Sequence, residues 1–376
     1  MIDQGLILDV IVTILCIAQF LLILWNRREM ARPASRQWEA DSPMVSLLVP
    51  ARNEEEVIGR CLSNLLAQDY PNFEIVVMDD GSTDGTADIV RSFGDDRIRL
   101  QSGRPLDSGW SGKNWACHQL ARIARGSILC FVDADTVIEP GTVSAAMEIL
   151  VQNGAGLVSL LPRSGSRSFA GKVLLPMVTH ALFGLFPIGL IHKTRNPMLA
   201  VAFGPFLMVT REAYDTAGGH AAAPSHVVDD VEMSRNVKRA GFRVRIADGT
   251  DLVETRWYDE FGEIWDGFSK NAYGALGNNP WMGVAVAFVL TPLLLAPFVR
   301  VGVGMLAGEI PQFAVFQVLL LLSNRALTSN LGGDPLWTTP FHPITVAFWG
   351  STLMHSMLLY ATNASIAWKD RDTPIR

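Results

Sequence analysis

The stretch that most constrains the fold is residues 128–135, where five apolar residues run directly into two aspartates, Asp133 and Asp135. A short apolar run that is rich in β-forming residues predicts a buried strand. The carboxyl ends of such strands open into the crevice where α/β sheets bind ligands. Two buried carboxylates there are costly unless a cation lies between them, and a divalent ion bound to a phosphate would supply one. A solvated turn is the alternative interpretation.

Strands and helices alternate through the middle of the chain. Runs of β-forming apolar residues predict strands at 45–49, 73–78, 97–100, 128–132, 156–160, 206–209 and 243–246. Apolar residues at helical spacing predict a helix that opens at Asn53 and further helices over 86–93 and 115–125. This alternation predicts an α/β fold that is Rossmann-like, with a mostly parallel sheet and right-handed crossovers.

Composition narrows the class of protein. Charged residues make up 18% of the chain, whereas a soluble domain carries about a quarter, so part of the chain is predicted to lie in lipid. The net charge of -6 gives no electrostatic basis for binding nucleic acid. The four cysteines lack zinc-type spacing and are interpreted as reduced thiols, which fits a cytoplasmic body.

An apolar N-terminal segment predicts one membrane helix within residues 1–27. Residues 5–25 are long enough to span a bilayer, and Arg27 and Arg28 follow directly. The positive-inside rule then places the N-terminus outside and the next segment in the cytoplasm. A signal peptide is disfavoured because no basic region precedes the apolar run, and a buried helix of a soluble protein is the remaining alternative.

The C-terminal region, 281–365, is apolar again. It predicts about three more membrane helices, at 281–299, 313–323 and 341–361. The segment 169–198 is also apolar but is broken by three prolines, so it predicts one or two helices at the membrane surface or else a core helix. The predicted organisation is a cytoplasmic domain over 44–275 in a multi-pass protein of the cell (inner or plasma) membrane.

Acidic motifs follow several of the predicted elements. The first strand ends in Pro50-Ala51-Arg52-Asn53-Glu54, the second in Asp79-Asp80-Gly81-Ser82-Thr83-Asp84 and the fourth in Asp133-Ala134-Asp135, and Val228-Asp229-Asp230-Val231-Glu232 precedes a helix. Each motif is weak alone, but the ordered set, over about residues 44–270, resembles the family 2 glycosyltransferases of the GT-A fold. The resemblance implies a GT-A domain that transfers sugar from a nucleotide-sugar donor.

The resemblance assigns a set of residues to the donor. Those implied as donor-binding are Pro50, Arg52, Glu54, Asp79, Asp80, Lys113, Asp133 and Arg256. Acidic side chains accept hydrogen bonds from base and ribose at other nucleotide sites, which fits Asp79 and Asp80, although either could instead cap a turn. Asp133 and Asp135 resemble the family's metal motif, which holds Mg²⁺ or Mn²⁺ against the diphosphate.

The acid pair Asp229-Asp230 matches the position of the family's catalytic base. An inverting transfer needs one carboxylate to deprotonate the acceptor hydroxyl as that hydroxyl attacks the anomeric carbon. The resemblance implies that Asp230 is this base and that Asp229 stands where the family often has glutamate. Charge compensation at a helix N-terminus is the alternative explanation of the pair.

The segment Gly109-Trp110-Ser111-Gly112-Lys113-Asn114-Trp115-Ala116 is a second marker. It is not a Walker A loop, because Asp107 stands where the first glycine should be and Asn114 replaces serine or threonine. It resembles the Gly-Lys-x-x-Ala segment of the family, which implies that Lys113 reaches the base or the diphosphate. A surface lysine is the alternative, and His118, one turn later, is expected to pack rather than to catalyse.

Arg256 and Trp257 resemble the end of the Gln-x-x-Arg-Trp motif of processive polysaccharide synthases. Val253 replaces the glutamine, which argues against chain polymerisation and leaves Arg256 an implied role at the diphosphate. Residues 253–256 together with 265–271 resemble the branch that acts on carotenoids, hopanoids and related lipids.

These inferences combine into one predicted function. The chain is expected to move a single sugar, with UDP-hexose as the expected donor, to the hydroxyl of a carotenoid, hopanoid or sphingolipid-like lipid at the cytoplasmic membrane face, with Mg²⁺ or Mn²⁺ as cofactor. A polyprenyl-phosphate glycosyltransferase is the nearer alternative, and a non-catalytic membrane nucleotide-binding protein or transporter is the more distant one. The sequence leaves the oligomeric state open.

Overall fold

The computed structural model describes residues 4–32, 36–256, 258–362, 365–368 and 371–374. They form two compact units. The sheet unit comprises the described parts of 30–165, 190–257 and 363–376, and the helical unit comprises those of 1–29, 166–189 and 258–362. The domain bounds 1–27, 44–275 and 281–365 stay predictions. Residues 1–3, 363–364 and Trp257, which belong to predicted features, lie outside the described residues.

The strands confirm the predicted alternation. They are β1 (Val45–Ala51), β2 (Phe73–Asp79), β3 (Ile98–Ser102), β4 (Ile128–Val132), β5 (Thr136–Ile138), β6 (Leu157–Leu161), β7 (Arg163–Ser164), β8 (Phe206–Thr210), β9 (Val244–Asp248), β10 (Val253–Thr255), β11 (Ser365–Trp368) and β12 (Arg371–Pro374). Seven of them form a sheet in the order β3-β2-β1-β4-β8-β6-β9. Every neighbouring pair in this sheet is parallel except the two pairs made by β8. All seven predicted strands, and the mostly parallel sheet, are therefore confirmed.

Helices fill the connections between strands and most of the helical unit. They are α1 (Gln4–Glu29), α2 (Ile58–Leu66), α3 (Thr86–Ser92), α4 (Gly112–Ile123), α5 (Thr142–Gln152), α6 (Phe169–Leu174), α7 (Met177–Leu185), α8 (Ile188–Lys193), α9 (Arg211–Thr216), α10 (Asp229–Arg239), α11 (Phe261–Ala275), α12 (Pro280–Val284), α13 (Thr291–Ala307), α14 (Gln312–Leu331) and α15 (His342–Ala361). Short 3₁₀ turns occur at Pro197–Leu199, Gly219–Ala222 and Leu336–Phe341, and a π-helical segment, Ala285–Leu290, joins α12 to α13.

Apolar layers cover both faces of the seven-stranded sheet. Successive side chains of a strand point to opposite faces, so Leu47 and Val49 of β1 pack in a cluster with residues of α2 and α5. Leu48, between them, packs in a second cluster with residues of α4 and α10. All seven residues of β1 are buried, which is why the sequence of this strand is a continuous apolar run.

Two predicted helix starts are wrong. The helix expected to open at Asn53 begins at Ile58, because Asn53 has a left-handed backbone (φ 52°) that interrupts helical geometry. The helix expected from residue 115 begins at Gly112, where the Ser111 hydroxyl accepts a hydrogen bond from a backbone amide of the first turn. Both departures lie beside predicted site residues, Arg52 and Glu54 in the first case and Lys113 in the second.

A small three-stranded sheet, in the order β5-β10-β7, places residues 253–255 beside the strand that follows the metal motif. In it β10 pairs antiparallel with β5, and Thr255 lies opposite Thr136. Because Arg256 follows Thr255 and Asp135 precedes Thr136, this register places the two residues beside each other.

Two helices are long and apolar enough to cross a membrane. One is Gly5–Glu29, within α1, and the other is Pro280–Ala307, which runs from α12 through α13. They coincide with the predicted spans 5–25 and 281–299. The helices α14 and α15 occupy the other two predicted positions, but within the described residues they do not meet the same criterion of length and apolarity.

The segment 169–198 forms three short α-helices and a 3₁₀ turn rather than one or two helices. Its prolines explain the breaks: Pro176 precedes α7, Pro187 precedes α8, and Pro197 opens the 3₁₀ turn. Much of α7 is buried, including His180 and Phe183. The position of this segment at a membrane surface stays a prediction.

Several polar side chains of α1 in the helical unit are paired with polar side chains of other helices. Asp9 of α1 forms an ion pair with Arg300 of α13, and Gln317 Nε2 of α14 donates to the Asp9 carbonyl oxygen at 2.9 Å. Asn324 Nδ2 donates to Gln19 Oε1 at 3.0 Å. Such pairing satisfies polar groups among apolar helices, where water is scarce.

Candidate active site

The predicted site residues begin at one edge of the large sheet. β1 and β2 end side by side, with Ala51 paired to Asp79, and β4 lies on the other side of β1. Parallel strands have their carboxyl ends at the same edge, so Arg52, Asp80 and Asp133 all follow strands at that edge.

The residues on the nucleotide side hold one another in place. Arg52 Nη1 donates to the backbone oxygen of Asp80 at 2.7 Å, and the Asp80 residue is 3% exposed. The carboxylate of Asp79 accepts from the Ser82 amide at 3.0 Å, which is the turn-capping role considered as the alternative. Pro50 is buried inside β1. These contacts shape the loop, and the roles of its residues toward a donor stay predictions.

Acidic side chains crowd the end of β4. Burial, and then repulsion from Asp133 and Glu54, raises the pKa of Asp135 to about 7. No group of three or more His, Cys, Asp or Glu side chains among the described residues forms a metal cluster. A cation held by Asp133 and Asp135 would therefore take its other ligands from the donor and from water.

Lys113 is the cation that faces these acids. Its Nζ lies 2.8 Å from Asp133 Oδ1 and 3.9 Å from Asp229 Oδ1. Burial acts against the charge of Lys113, but attraction to these two carboxylates raises its pKa well above the usual value. The alternative of a surface lysine therefore does not hold, because Lys113 bridges the metal motif and the acid pair, while its contact with a donor stays a prediction.

Hydrogen bonds of the Asn114 side chain hold the start of α4, and with it Lys113, close to the acid pair. Asn114 Nδ2 donates to the backbone oxygens of Ala223, Pro224 and His226 at 2.9, 3.2 and 3.0 Å. The loop held in this way leads directly into α10, which begins with Asp229. Sequence reasoning noted Asn114 only as a departure from a Walker motif, and nothing in its neighbours along the chain indicates this distant partner.

The groups on the two sides of the site meet at Gly204. A Cβ atom built on Gly204 would stand 3.4 Å from Lys113 Nζ, 3.5 Å from Asp230 Oδ2 and 3.6 Å from Asp133 Oδ2. These residues line one pocket together with Cys117, Phe131, Leu207, His220, Asp229 and Met233. The structure thus brings the predicted metal motif, the predicted base and Lys113 into one space, and it adds Gly204, which sequence reasoning missed.

The pKa of Asp230 is raised toward neutral pH. Burial, and then repulsion from Asp229, raises its pKa to about 7, while Lys113 acts in the opposite direction. Its Oδ1 accepts from the Val231 amide at 2.7 Å, which leaves Oδ2 toward the pocket. A carboxylate of this kind can accept a proton from a hydroxyl group in the pocket.

Two histidines near the site behave as packed groups. His118 packs against Trp110, with ring centroids 4.9 Å apart, so the expectation that it packs is confirmed. His220, which sequence reasoning missed, lines the pocket, and its Nδ1 lies 2.9 Å from the Tyr214 hydroxyl. Burial, and then repulsion from Lys113, lowers the pKa of His220 to about 3, so this ring is neutral at physiological pH.

Comparisons with known proteins agree with this geometry. Residues 46–217 match the model of the glycosyl transferase family 2. A 4,4'-diaponeurosporenoate glycosyltransferase from Staphylococcus aureus strain MRSA252 is 27% identical over 365 residues, which cover 94% of each chain. The homologous enzyme of strain bovine RF122 / ET3-1 is 26% identical over the same share.

A solved structure supports the fold. A mannosyltransferase from Pyrobaculum calidifontis, in complex with GDP-Man and Mn²⁺, superposes with a TM-score of 0.58 at 20% identity and covers 94% of this chain and 98% of its own. The predicted GT-A-like fold is therefore confirmed. The chain is thus a glycosyltransferase on a GT-A-like fold whose residues 46–217 match family 2, and it resembles the carotenoid-associated glycosyltransferases of Staphylococcus aureus.

Proposed function

We propose that the protein transfers one sugar, from a UDP-hexose in the first instance, to a lipid acceptor with inversion at the anomeric carbon. The observation that carries this proposal is the meeting of Lys113, Asp133 and Asp230 around Gly204. A cation and a metal-type carboxylate fit a diphosphate, and a carboxylate of raised pKa fits an acceptor proton. One bound hexose would lie between the groups that bind the diphosphate and the carboxylate that accepts the proton.

The donor set at the end of β4 fits a hard divalent cation. Asp133 and Asp135 offer carboxylate oxygens, and a cation relieves the crowding of acids that raises the pKa of Asp135. When bound, Mg²⁺ or Mn²⁺ offsets the charge that develops on the leaving diphosphate. Lys113 and Arg256 would donate to the diphosphate oxygens. The remaining donor contacts are assigned to Pro50, Arg52, Glu54, Asp79 and Asp80.

Asp230 is the proposed catalytic base. With a pKa of about 7, an appreciable fraction is ionised at neutral pH, and the carboxylate is a stronger base than an ordinary aspartate. Asp229 would keep Lys113 and the start of α10 in register, since it lies 3.9 Å from Lys113 Nζ. A hydroxyl acceptor needs this base more than a phosphate acceptor does, which favours a lipid alcohol.

Two features support a lipid acceptor. The Staphylococcus aureus relatives are named for 4,4'-diaponeurosporenoate, so a carotenoid-type lipid is the first acceptor class and hopanoids and sphingolipid-like lipids are the next. Two helices of this chain are apolar enough to cross a membrane. We place the enzyme in the cell membrane with α1, Pro280–Ala307, α14 and α15 as its spans, and with the sheet unit in the cytoplasm.

The donor test uses detergent-purified full-length protein. It is incubated with a panel of sugar nucleotides and Mn²⁺, alone and with each lipid class, and nucleoside diphosphate is measured. We expect release that stops with a chelator, returns with Mn²⁺ or Mg²⁺, and is lost in Asp133→Asn. Full turnover in the chelator would remove the metal from the proposal, and no release from any donor would remove the transfer itself.

The topology test uses a cysteine placed in the turn at Asp95–Arg97. The four native cysteines are buried, so they give little background. A cytoplasmic sheet unit predicts that this cysteine resists an impermeant thiol reagent in intact cells and reacts after permeabilisation. Ready labelling of intact cells would reverse the orientation.

A further inference from the structure

His220 is a buried histidine whose ring lines the pocket of the candidate site. It belongs to the 3₁₀ turn Gly219–Ala222 and packs edge-to-face on Phe131 of β4, with ring centroids 4.8 Å apart. Burial keeps the ring neutral, so one of its nitrogens donates a hydrogen bond and the other accepts one. The hydrogen bonds around such a ring decide which nitrogen carries the proton.

The hydroxyl group of Tyr214 decides between the two nitrogens. Its oxygen accepts the backbone N–H of His220 at 3.2 Å and lies 2.9 Å from His220 Nδ1. Burial raises the pKa of Tyr214, so the hydroxyl keeps its hydrogen. Among the described residues, His220 Nδ1 is the only acceptor beside that hydrogen. Tyr214 therefore donates to Nδ1, and the ring proton lies on Nε2.

The Nε2 atom of His220 and the Oδ2 atom of Asp230 are complementary. Within the part of the chain that the structure describes, neither atom hydrogen-bonds to a protein group. Asp230 uses its Oδ1 for the Val231 amide, and His220 uses its Nδ1 as described above. Neither atom is sealed from open space, so both face the pocket that their residues line. One is an N–H donor, and the other, in the ionised base, is an acceptor.

The pocket has room for one water molecule. It leaves about 10 Å³ for the centre of a water-sized molecule, which suffices for one water where polar groups line the space. Lys113 is a second donor at this pocket, with its Nζ 2.8 Å from Asp133 Oδ1. A water molecule here would accept from His220 Nε2 and donate to Asp230 Oδ2, so that each oxygen of the base would have a hydrogen-bond donor.

We propose that His220 is a positioning residue, which holds Asp230 Oδ2 through one bound water molecule and so fixes the direction of the proposed base. The inference rests on the proposed function, in which Asp230 takes the acceptor proton. A carboxylate oxygen has two lone pairs, so Oδ2 can bind the water and still accept that proton. An oriented base raises the rate of the chemical step. The effect therefore belongs to kcat and not to the KM for the donor.

The first test determines the tautomer and needs no substrate. Nitrogen NMR spectra are recorded on the full chain in detergent with labelled histidine, and the His220 signals are assigned by their loss in His220→Phe. We expect a protonated Nε2 and an unprotonated Nδ1 in the wild type, and a mixture of both tautomers in Tyr214→Phe. A wild-type ring with its proton on Nδ1 would overturn the inference.

The second test measures transfer. His220→Phe keeps a ring against Phe131 and removes the donor, so kcat should fall about tenfold while the donor KM stays unchanged. His220→Gln supplies an amide N–H in place of Nε2–H and should recover most of that loss. His118→Phe is the matched control, because His118 packs against Trp110 and does not line the pocket, so it should keep the wild-type kcat.

The other outcomes overturn the inference. A wild-type kcat in His220→Phe would show that the base needs no such partner, and an equal loss in His220→Gln would assign the effect to ring packing. If His220→Phe does not fold, Tyr214→Phe replaces it, and a wild-type kcat together with mixed tautomers would have the same meaning. If the wild-type protein transfers no sugar, the proposed function fails as well, whereas a proton on Nδ1 in an active enzyme removes the positioning role alone.

Discussion

Two charged clusters, one in each unit of the protein, differ in how their charges are balanced. In the helical unit, the Asp9 carboxylate is paired with Arg300, and its Oδ1 accepts a further hydrogen bond from Gln317 Nε2 at 3.4 Å. In the sheet unit, several acids crowd one site around Lys113, which bridges two of them. These acids are Asp133, Asp135, Asp229 and Asp230.

This difference distinguishes charges that belong to the packing of the protein from charges that serve a ligand or a reaction. A charge that is paired inside the protein is compensated, and the loss of one partner leaves the other uncompensated. A crowd of acids costs stability, and its pKa values rise because the protein supplies too little positive charge. Such a crowd is explained when a ligand brings the missing cation and a reaction uses the raised pKa.

The largest expected effect is on catalysis. Asp230→Asn keeps the shape of the side chain and removes the proton acceptor, so the transfer rate at saturating donor should fall by about 10²–10⁴, or roughly 3–5 kcal/mol of barrier. Donor affinity should stay nearly unchanged, because the donor contacts are assigned to other residues. The measurements are single-turnover transfer rate and equilibrium binding of the donor.

Asp229→Asn is the matched control for that experiment. It removes a neighbouring acid of the same helix start but leaves the proposed base, so its rate loss should be smaller. An inactive Asp229→Asn beside an active Asp230→Asn would move the base by one position. Loss of donor binding with the rate preserved would make Asp230 a nucleotide-side residue.

The helical unit should respond in stability instead. Arg300→Met leaves the Asp9 carboxylate without its ion-pair partner, so the free energy of unfolding should fall by roughly 1–3 kcal/mol. The double variant Asp9→Leu/Arg300→Met should recover most of this loss, because no uncompensated charge remains. Thermal unfolding in detergent measures both. A single variant as stable as the wild type would mean that this pair does not stabilise the unit.

Removing a charged group from the acid cluster of the sheet unit should raise the free energy of unfolding instead of lowering it. The pKa of Asp230 in the fold is about 7, above the usual value for an unfolded aspartate of about 3.9. The folded state therefore binds this proton more tightly, and the resulting stability is present below about pH 4 and is lost as the pH rises to about 7. Asp230→Asn should thus gain roughly 1–3 kcal/mol relative to the wild type between these pH values.

The pH dependence of activity is a second measure of the ionisation of Asp230. Only the ionised base accepts a proton, so the wild-type transfer rate should rise as the pH increases through about 7 and then level off. Chemical unfolding and transfer assays in matched buffers measure the two profiles. A rate that is flat across this range, with no change in relative stability, would remove the raised pKa from the mechanism.

The sequence pattern predicted those elements of the fold that depend on residues close together in the chain. A strand such as β4 is recognisable because its five residues are apolar and all buried, and its two aspartates mark the carboxyl end. The sheet edge then follows from parallel pairing, which is why Asp79 and Asp133 could be assigned to one edge in advance. The prolines likewise predicted where 169–198 is interrupted.

Contacts between distant parts of the chain could not be predicted from the sequence. Asn114 binds carbonyl groups more than a hundred residues away, and Gly204 becomes informative only when Lys113, Asp133 and Asp230 surround it. The helix expected at Asn53 starts late because Asn53 has a left-handed backbone and forms hydrogen bonds with Ser82 and Thr83 of the neighbouring loop. A hydrogen-bonding side chain or a glycine has many possible uses, and only the three-dimensional neighbours decide among them.

The smallest expected effect concerns an exposed cation of the sheet unit. Arg256 lies beside Asp135 through the pairing of Thr255 with Thr136, and the proposed function assigns it to the donor diphosphate. Arg256→Ala should raise the donor KM about tenfold, which is about 1.4 kcal/mol, and should leave thermal stability unchanged. Arg256→Lys should recover only part of this, because it keeps the charge but loses bidentate geometry.

Arg163→Ala is the matched control, because Arg163 is an exposed arginine of the same small sheet and pairs with Glu254 at 2.8 Å. It should change neither the donor KM nor the stability by more than a small amount, since exposed ion pairs contribute little. Equal KM increases in the two variants would show that only the general field of positive charge attracts the donor. A loss of stability in Arg256→Ala alone would place this arginine with Arg300 among the structural charges, and the contrast between the two units would then not extend to it.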